Sequence, residues 1–209
     1  MYIDIFHDTV CPWCWIGKKH LAQALEQWQG EPVILRYHTY FLNDSIPAEG
    51  LDFHKYMSAK IGRDNLEPLF TAPRELGRAA GITFNFHKIK IAPNSLDSHR
   101  LIALTPDDLK PLMIENLYYA YFTDARDISK LDVLVDIAQG VGLNANVIRD
   151  QLASDAMRDE VLAEAAWAQQ MGVTGVPLFV FDNAFALSGA QLPQAILRAM
   201  QETQLFAVQ

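Results

Sequence analysis

The sequence is short of cysteine, has no surplus of positive charge and lacks long uncharged apolar runs, and each shortage excludes a class of protein. Its 209 residues carry 17 Lys and Arg against 25 Asp and Glu, a formal charge of −8. A surface with that balance does not track a phosphate backbone, so nucleic acid is not an expected partner. No stretch reaches the ~18 uncharged apolar residues that suggest a membrane span, so no membrane association is expected. Two cysteines are too few for a disulfide framework. No internal repeat, low-complexity tract or extended linker interrupts the chain. What is abundant is apolar material: 50% of residues are hydrophobic and 11% aromatic. That is too rich for disorder and ample for a core, since a chain of this length buries roughly 70% of its unfolded surface.

Both cysteines fall in one tetrapeptide, Cys11-Pro12-Trp13-Cys14. The start Met1-Tyr2-Ile3-Asp4-Ile5-Phe6-His7-Asp8 is acidic where a secretory leader is basic, and the motif follows too soon to leave room for a cleavable segment. Taking Met1 as the natural start, a cytoplasmic protein is expected, and there a paired CxxC is catalytic or metal-binding rather than a permanent staple.

Tyr2 to Phe6 is a β-branched and aromatic run. Residues 12 to 28 place Trp13, Ile16, Leu21, Leu25 and Trp28 at near-helical spacing, Gly30-Glu31-Pro32 breaks the pattern, and Val33 to Leu42 is again rich in strand formers. Residues 1 to 42 therefore predict a βαβ unit with parallel strands and a right-handed crossover. From about residue 51, helical periodicity takes over, with candidate helices at 51–62, 64–80, 95–104, 107–122, 130–140, 146–153 and 156–170. Ser129 followed by Asp132 resembles a cap, and Gly140 or Gly142 would end that helix. Pro177 to Phe181, a turn at Asp182-Asn183, and Ala184 to Leu187 predict an antiparallel hairpin, and Pro193 suits the first turn of a last helix over 192–203. An α/β domain interrupted by a helical insertion explains this order.

A thiolate, not a thiol, attacks a disulfide. At the strand-to-helix junction Cys11 would meet unpaired backbone N–H groups and the positive end of the helix dipole, both of which favour an anion. Pro12 fits the first helical position, having no N–H to orphan. Cys14 returns to the same face, so Cys11 is expected as the exposed nucleophile and Cys14 as the resolving thiol. Zinc is the bland alternative, but four ligands are usual and only His7 and His20 lie near in sequence, so no metal is expected. A second signal is Val173-Thr174-Gly175-Val176-Pro177-Leu178-Phe179, where Pro177 either starts an edge strand or follows a cis bond. Only ~5–6% of X–Pro bonds are cis, so on residues alone the cis reading loses.

A strand, a CxxC at a helix start and a distant Val-Pro opening a second β-block resemble the thioredoxin superfamily. The helical insertion is similar to that of the DsbA-like branch. Cys11-Pro12-Trp13-Cys14-Trp15-Ile16-Gly17-Lys18, Ala120-Tyr121-Phe122-Thr123-Asp124-Ala125-Arg126-Asp127-Ile128, Gly172-Val173-Thr174-Gly175-Val176-Pro177 and Ser188-Gly189-Ala190-Gln191 resemble its FrnE-like group, over residues 2 to about 203. The resemblance implies a thioredoxin fold over 1–48 and 171–209 with a helical insertion domain over 49–170, whose last helix, about 156–170, would pack on the sheet. It implies a cis proline at Pro177 beside the cysteines, with the Val176 backbone open to an extended peptide or glutathione. Pro12, Trp13 and His99, the last in Asn94-Ser95-Leu96-Asp97-Ser98-His99-Arg100, join Val176 as expected substrate-side residues; otherwise His99 is part of a polar helix face. Asp8 either relays protons for Cys14 or caps the turn into the helix, and the frequency of Asp at caps favours the second. Tyr118, Tyr119, Tyr121 and Phe122 read as insertion core rather than a substrate platform.

The expected function is that of a thiol–disulfide oxidoreductase or isomerase acting on protein, peptide or low-molecular-weight disulfides. No tightly bound cofactor is expected, glutathione is a candidate co-substrate, and the oligomeric state stays open. Pro12-Trp13 carries no charge, so a less oxidising pair is expected than in DsbA-like proteins with a His in that place. The alternatives are a glutathione-dependent isomerase or transferase of the 2-hydroxychromene-2-carboxylate isomerase and kappa class, which would not need Cys14, and a peptide holdase that would work without either cysteine.

Overall fold

A computed structural model describes residues 1–206. In chain order the elements are β1 (Tyr2–His7), α1 (Pro12–Gln27), β2 (Ile34–Thr39), β3 (Leu51–Asp52), α2 (Phe53–Ile61), α3 (Glu67–Ala79), β4 (Ile91–Ala92), α4 (Leu96–Leu104), α5 (Lys110–Tyr118), α6 (Leu131–Gly140), α7 (Ala145–Ala153), α8 (Arg158–Gln170), β5 (Leu178–Phe181), β6 (Phe185–Ser188) and α9 (Pro193–Phe206). The chain divides into two compact units, Met1–Leu42 with the chain from Glu164 onward, and Asn43–Ala163. The sequence reading divided it at 48/49 and 170/171; the structure divides it at 42/43 and 163/164. The second difference arises because α8 crosses the division, and its last turns, carrying Glu164 and Ala168, are tied into the sheet.

The sheet has the order β2-β1-β5-β6. β1 and β2 are parallel, joined through α1 as the βαβ pattern predicts, while β5 and β6 run antiparallel. Asp182 and Asn183 take φ of 45° and 56°, the left-handed pair of the turn that Ala184 N–H closes on the Phe181 carbonyl at 2.9 Å, so that three residues connect the paired Phe181 and Phe185. The period-two alternation of β1 separates two faces. Ile3 and Ile5 turn toward a core of Leu21 and Ala24 from α1, Phe179 and Phe181 from β5, and Ile196, Ala199 and Met200 from α9. Asp4 and Phe6 turn the other way, where Phe6 meets Ala168 of α8 and Val173, with Tyr40, Val176, Leu178 and Val180 packed around them. Full burial of side chains such as Phe179 and Phe181 stabilises the sheet by ~1.5–3 kcal/mol each.

The second unit is mainly helical and adds one short antiparallel ladder, β3 with β4, that the helical periodicity of 51–62 concealed. After α5 the backbone widens into a π-turn over Tyr119–Thr123. Tyr118, Tyr121 and Phe122 are buried there while Tyr119 is half exposed. Phe122 meets the Phe84 and Phe86 rings edge-on, and Phe70 and Phe53 continue the stack. Ser129 is not the cap of α6. Its hydroxyl and N–H both donate to Asp127 Oδ1, and Lys130 takes the N-cap position without a side-chain bond. Gly142, at φ 96°, takes the left-handed conformation just past the other end of α6.

Candidate active site

The chain leaves β1 through Asp8-Thr9-Val10 and enters α1 with Cys11 as N-cap and Pro12 at the first helical position. Asp8 is fully buried and organises this turn. Its main-chain carbonyl accepts from Cys11 N–H at 3.0 Å, and its carboxylate accepts from Val10 N–H at 3.3 Å and Leu42 N–H at 2.8 Å. Asp8 therefore closes the turn ahead of the helix and ties it to the segment after β2.

Both cysteines are free thiols. Contrary to the expected exposure of the nucleophile, Cys11 is only 2% exposed, as buried as Cys14 at 3%. The reason lies in where the sulfur points: Cys11 Sγ donates to the Val176 carbonyl at 3.6 Å. The Val176–Pro177 bond is cis, Val176 is half-buried and Pro177 buried. Pro12 and Trp13 are half-buried beside the pair. Burial pushes the Cys14 thiol well above the usual thiol range, and its hydrogen bond to Cys11, the Cys11 charge and the Asp8 carboxylate push the same way, against a smaller opposing pull from the Asp8 backbone N–H. Cys14 is thus a thiol at neutral pH, facing Cys11.

Three further contacts fix Pro177 and the turn that follows β6. Gly189, at φ 81°, donates its N–H to the Pro177 carbonyl at 2.8 Å. Gln191 Nε2 closes the same turn on the Ser188 carbonyl at 2.8 Å, and the Gln191 carbonyl is bonded to His20 Nδ1 of α1 at 2.9 Å. The third is a matter of space: a Cβ on Gly17 would lie 3.1 Å from Pro177 Cγ and 3.0 Å from Phe179 Cζ, so the missing side chain lets α1 lie against the proline ring. His20, one of the two sequence-near candidates for zinc, is committed to this turn; the other, His7, packs edge-on against Tyr37. Among the described residues, no group of three or more His, Cys, Asp and Glu is placed to hold a metal ion.

The sequence matches the DSBA-like thioredoxin domain family over residues 2–201. The chain belongs to that family. Among curated proteins it is similar to YwbO of Bacillus subtilis strain 168, described as uncharacterised, with 21% identity over 209 residues that cover 98% of each chain. Among solved structures it is similar to a probable DsbA oxidoreductase, SCO1869 of Streptomyces coelicolor, with 27% identity and a TM-score of 0.91 over 98% of this chain and 90% of that one. The cytosolic disulfide reductase DsbM of Pseudomonas aeruginosa, solved with GSH, shares the fold at 18% identity and a TM-score of 0.70, over 99% of this chain and 100% of that one.

For a DSBA-like protein, two parts of this site escaped the sequence reading. Gly17 and His20 lie outside the tetrapeptide and look like ordinary helix residues; Gly17, a poor helix former one turn after the cysteines, was the available signal. His99 lies on α4 in the helical unit and is 2% exposed, buried between the equally buried Ser98 and Arg100. Its neighbour Arg100 is a structural residue. It donates to the carbonyls of Ala156 at 2.8 Å, Leu152 and Gln151 at 3.1 Å each, and Ser154, and pairs with Asp97 at 2.8 Å. This gathers the chain end of α7 and the turn into α8. Among the described residues no helix is long and apolar enough to cross a membrane.

Proposed function

We propose that the protein is a thiol–disulfide oxidoreductase in which Cys11 attacks and Cys14 resolves. The observation that carries this reading is the asymmetry of the pair: Cys14 holds its proton and hydrogen-bonds to Cys11, while Cys11 sits at the helix N-terminus with its sulfur at the Val176 carbonyl. The Cys11 thiolate attacks a substrate disulfide, forming a mixed disulfide and expelling one substrate thiolate, which takes up a proton. Cys14 then loses its proton and attacks the Cys11 sulfur, which releases the second substrate thiol and leaves a Cys11–Cys14 disulfide. Two electrons have passed from the pair to the substrate. Two molecules of a small thiol such as glutathione return them by the same exchange.

Asp8 stands beside Cys14 and is the carboxylate on hand to take its proton in the second step. The Val176 backbone, with Pro12 and Trp13, is the proposed docking edge for the substrate's cysteine, and His99 is carried as a substrate-side residue from the resemblance alone. The burial of Cys11 favours a narrow substrate, a low-molecular-weight disulfide or an extended peptide, and the reading places the work in a reducing, glutathione-containing compartment. The test is whether purified protein catalyses dithiol-driven reduction of a small or peptide disulfide, assayed beside glutathione-dependent isomerase and transferase reactions. Reductase activity lost in Cys11→Ser supports the reading; isomerase or transferase activity without disulfide exchange overturns it.

A further inference from the structure

On the face of the sheet opposite α1 and α9, four charged side chains form a closed set. Arg36 of β2 binds Asp4 of β1 with two hydrogen bonds, Nε to Oδ1 at 2.7 Å and an Nη to Oδ2 at 2.6 Å. His38 lies between two carboxylates, Nε2 at 2.7 Å from Asp4 Oδ1 and Nδ1 at 2.9 Å from Glu164 Oε1 of α8. Glu164 Oε2 accepts the Thr39 N–H at 2.9 Å. The His38 side chain is 17% exposed, and its ring stacks on Phe6 at 5.0 Å and lies 5.3 Å from Trp167. A neutral imidazole has one N–H and one bare lone pair, so it can donate to only one of these carboxylates. Both contacts are hydrogen bonds between ionised partners only when His38 carries both protons.

The set is fastened to the site at one remove. Glu164 ties α8 to β2, and α8 runs directly into the segment 171–177 that ends in Val176 and Pro177. Phe6, beneath the imidazole, belongs to the same cluster as Ala168, Val173 and Val176. We propose that protonated His38, clamped between Asp4 and Glu164, is a positioning residue that holds the Val176 backbone at Cys11, and that loss of its proton releases that backbone. The proposal rests on the reading of Cys11 and Val176 as attacking sulfur and docking edge. The charged groups facing His38 are Asp4 from β1 and Glu164 from α8, with Arg36 on the far side of Asp4. Burial pulls the imidazole toward its neutral form, but the hydrogen bonds to Glu164 and Asp4 outweigh it and move the titration upward.

The test follows the site as a function of pH through two readouts, with His38 titrated independently by ring NMR. Alkylation of Cys11 by iodoacetamide needs only an accessible thiolate, whereas exchange with a small disulfide also needs Val176 in place. As His38 loses its proton, alkylation should step up beyond the rise due to thiolate formation, and the KM for exchange should rise about tenfold, a modest share of the ~100-fold that a 1 Å misplacement can cost. In Glu164→Gln the introduced amide can donate to a neutral imidazole and still accept from Thr39 N–H, so both steps should vanish with the neutral-pH rate kept. In His38→Gln both steps should vanish with KM raised at every pH. Steps that persist in both variants, or an NMR titration of His38 in the parent protein that neither readout follows, overturn the proposal. If the protein exchanges no disulfide, the function proposed above fails while the alkylation arm still decides this inference.

Discussion

Replacing Gly17 with alanine tests how tightly the site is built. In an ordinary helix interior the change would stabilise by about 1 kcal/mol, because glycine carries the larger entropy cost. Here the new methyl would lie 3.0 Å from Phe179 Cζ, 3.1 Å from Pro177 Cγ and 3.4 Å from Phe179 Cε2. Neither neighbour is free to yield. Phe179 is 0% exposed within the sheet core, and Pro177 is held through its carbonyl by Gly189 N–H. Overpacking of a filled core costs about 1–3 kcal/mol, so the propensity gain is cancelled and the net change should be a loss of up to ~2 kcal/mol. Any relief moves the proline ring and the Val176 carbonyl away from Cys11, so exchange should slow by more than the stability loss accounts for. Gly17→Val, with two further methyls and a smaller propensity gain, should be worse on both counts. Urea unfolding and disulfide-exchange kinetics measure the two effects. A Gly17→Ala variant stabilised by the full ~1 kcal/mol with unchanged kinetics would refute the reasoning.

Arg100→Ala should destabilise the helical unit by about 3–5 kcal/mol, because it leaves carbonyls of the α7–α8 turn without their donor, and Arg100→Lys should recover less than half of that in denaturant unfolding, since one ammonium cannot serve four carbonyls and Asp97. Stability should also follow a pH window. His38 is raised, so its contribution is complete below its unfolded value of ~6.5 and fades as pH rises through the higher folded value, while Asp4 and Glu164 are lowered, so theirs is complete above ~4 and fades as pH falls through the lower folded values. Thermal unfolding across pH should therefore peak between these limits, and His38→Gln should flatten the alkaline slope; a slope left unchanged contradicts the assignment. Asp8→Asn removes a charge that opposes the Cys14 thiolate, so ultraviolet titration of Cys14 in a Cys11→Ser background should move downward; an upward move would show that the carboxylate acts in the opposite sense.

The parts of this protein readable from its sequence are those set by short-range chemistry. Pro12 at a helix start, the Asp182-Asn183 turn and the β-branched and aromatic run of β1 each announce their local conformation, and together they yield the βαβ unit and the closing hairpin. The hidden parts depend on partners distant in the chain. Cys11 reads as exposed because helix N-termini usually face water, and nothing near it indicates that Val176, 165 residues on, would accept its thiol. Residues alone argued against a cis bond at Pro177, and the resemblance supplied that expectation. Arg100 stands out in the sequence only as the residue after His99, yet its carbonyl partners lie 51 to 56 positions later. His38 drew no notice at all, since its two carboxylates come from strands and helices that sequence periodicity cannot place side by side.

The most direct test of the central claim is to trap the exchange intermediate. Cys14→Ser protein treated with glutathione disulfide at neutral pH should accumulate one glutathione adduct, mapped by peptide mass to Cys11, because the attack is intact and only the resolving thiol is missing. Cys11→Ser should form little or no adduct under the same conditions. An adduct that maps to Cys14 in the parent chain, or a Cys11→Ser variant that still reduces disulfides at the parent rate, would contradict the account.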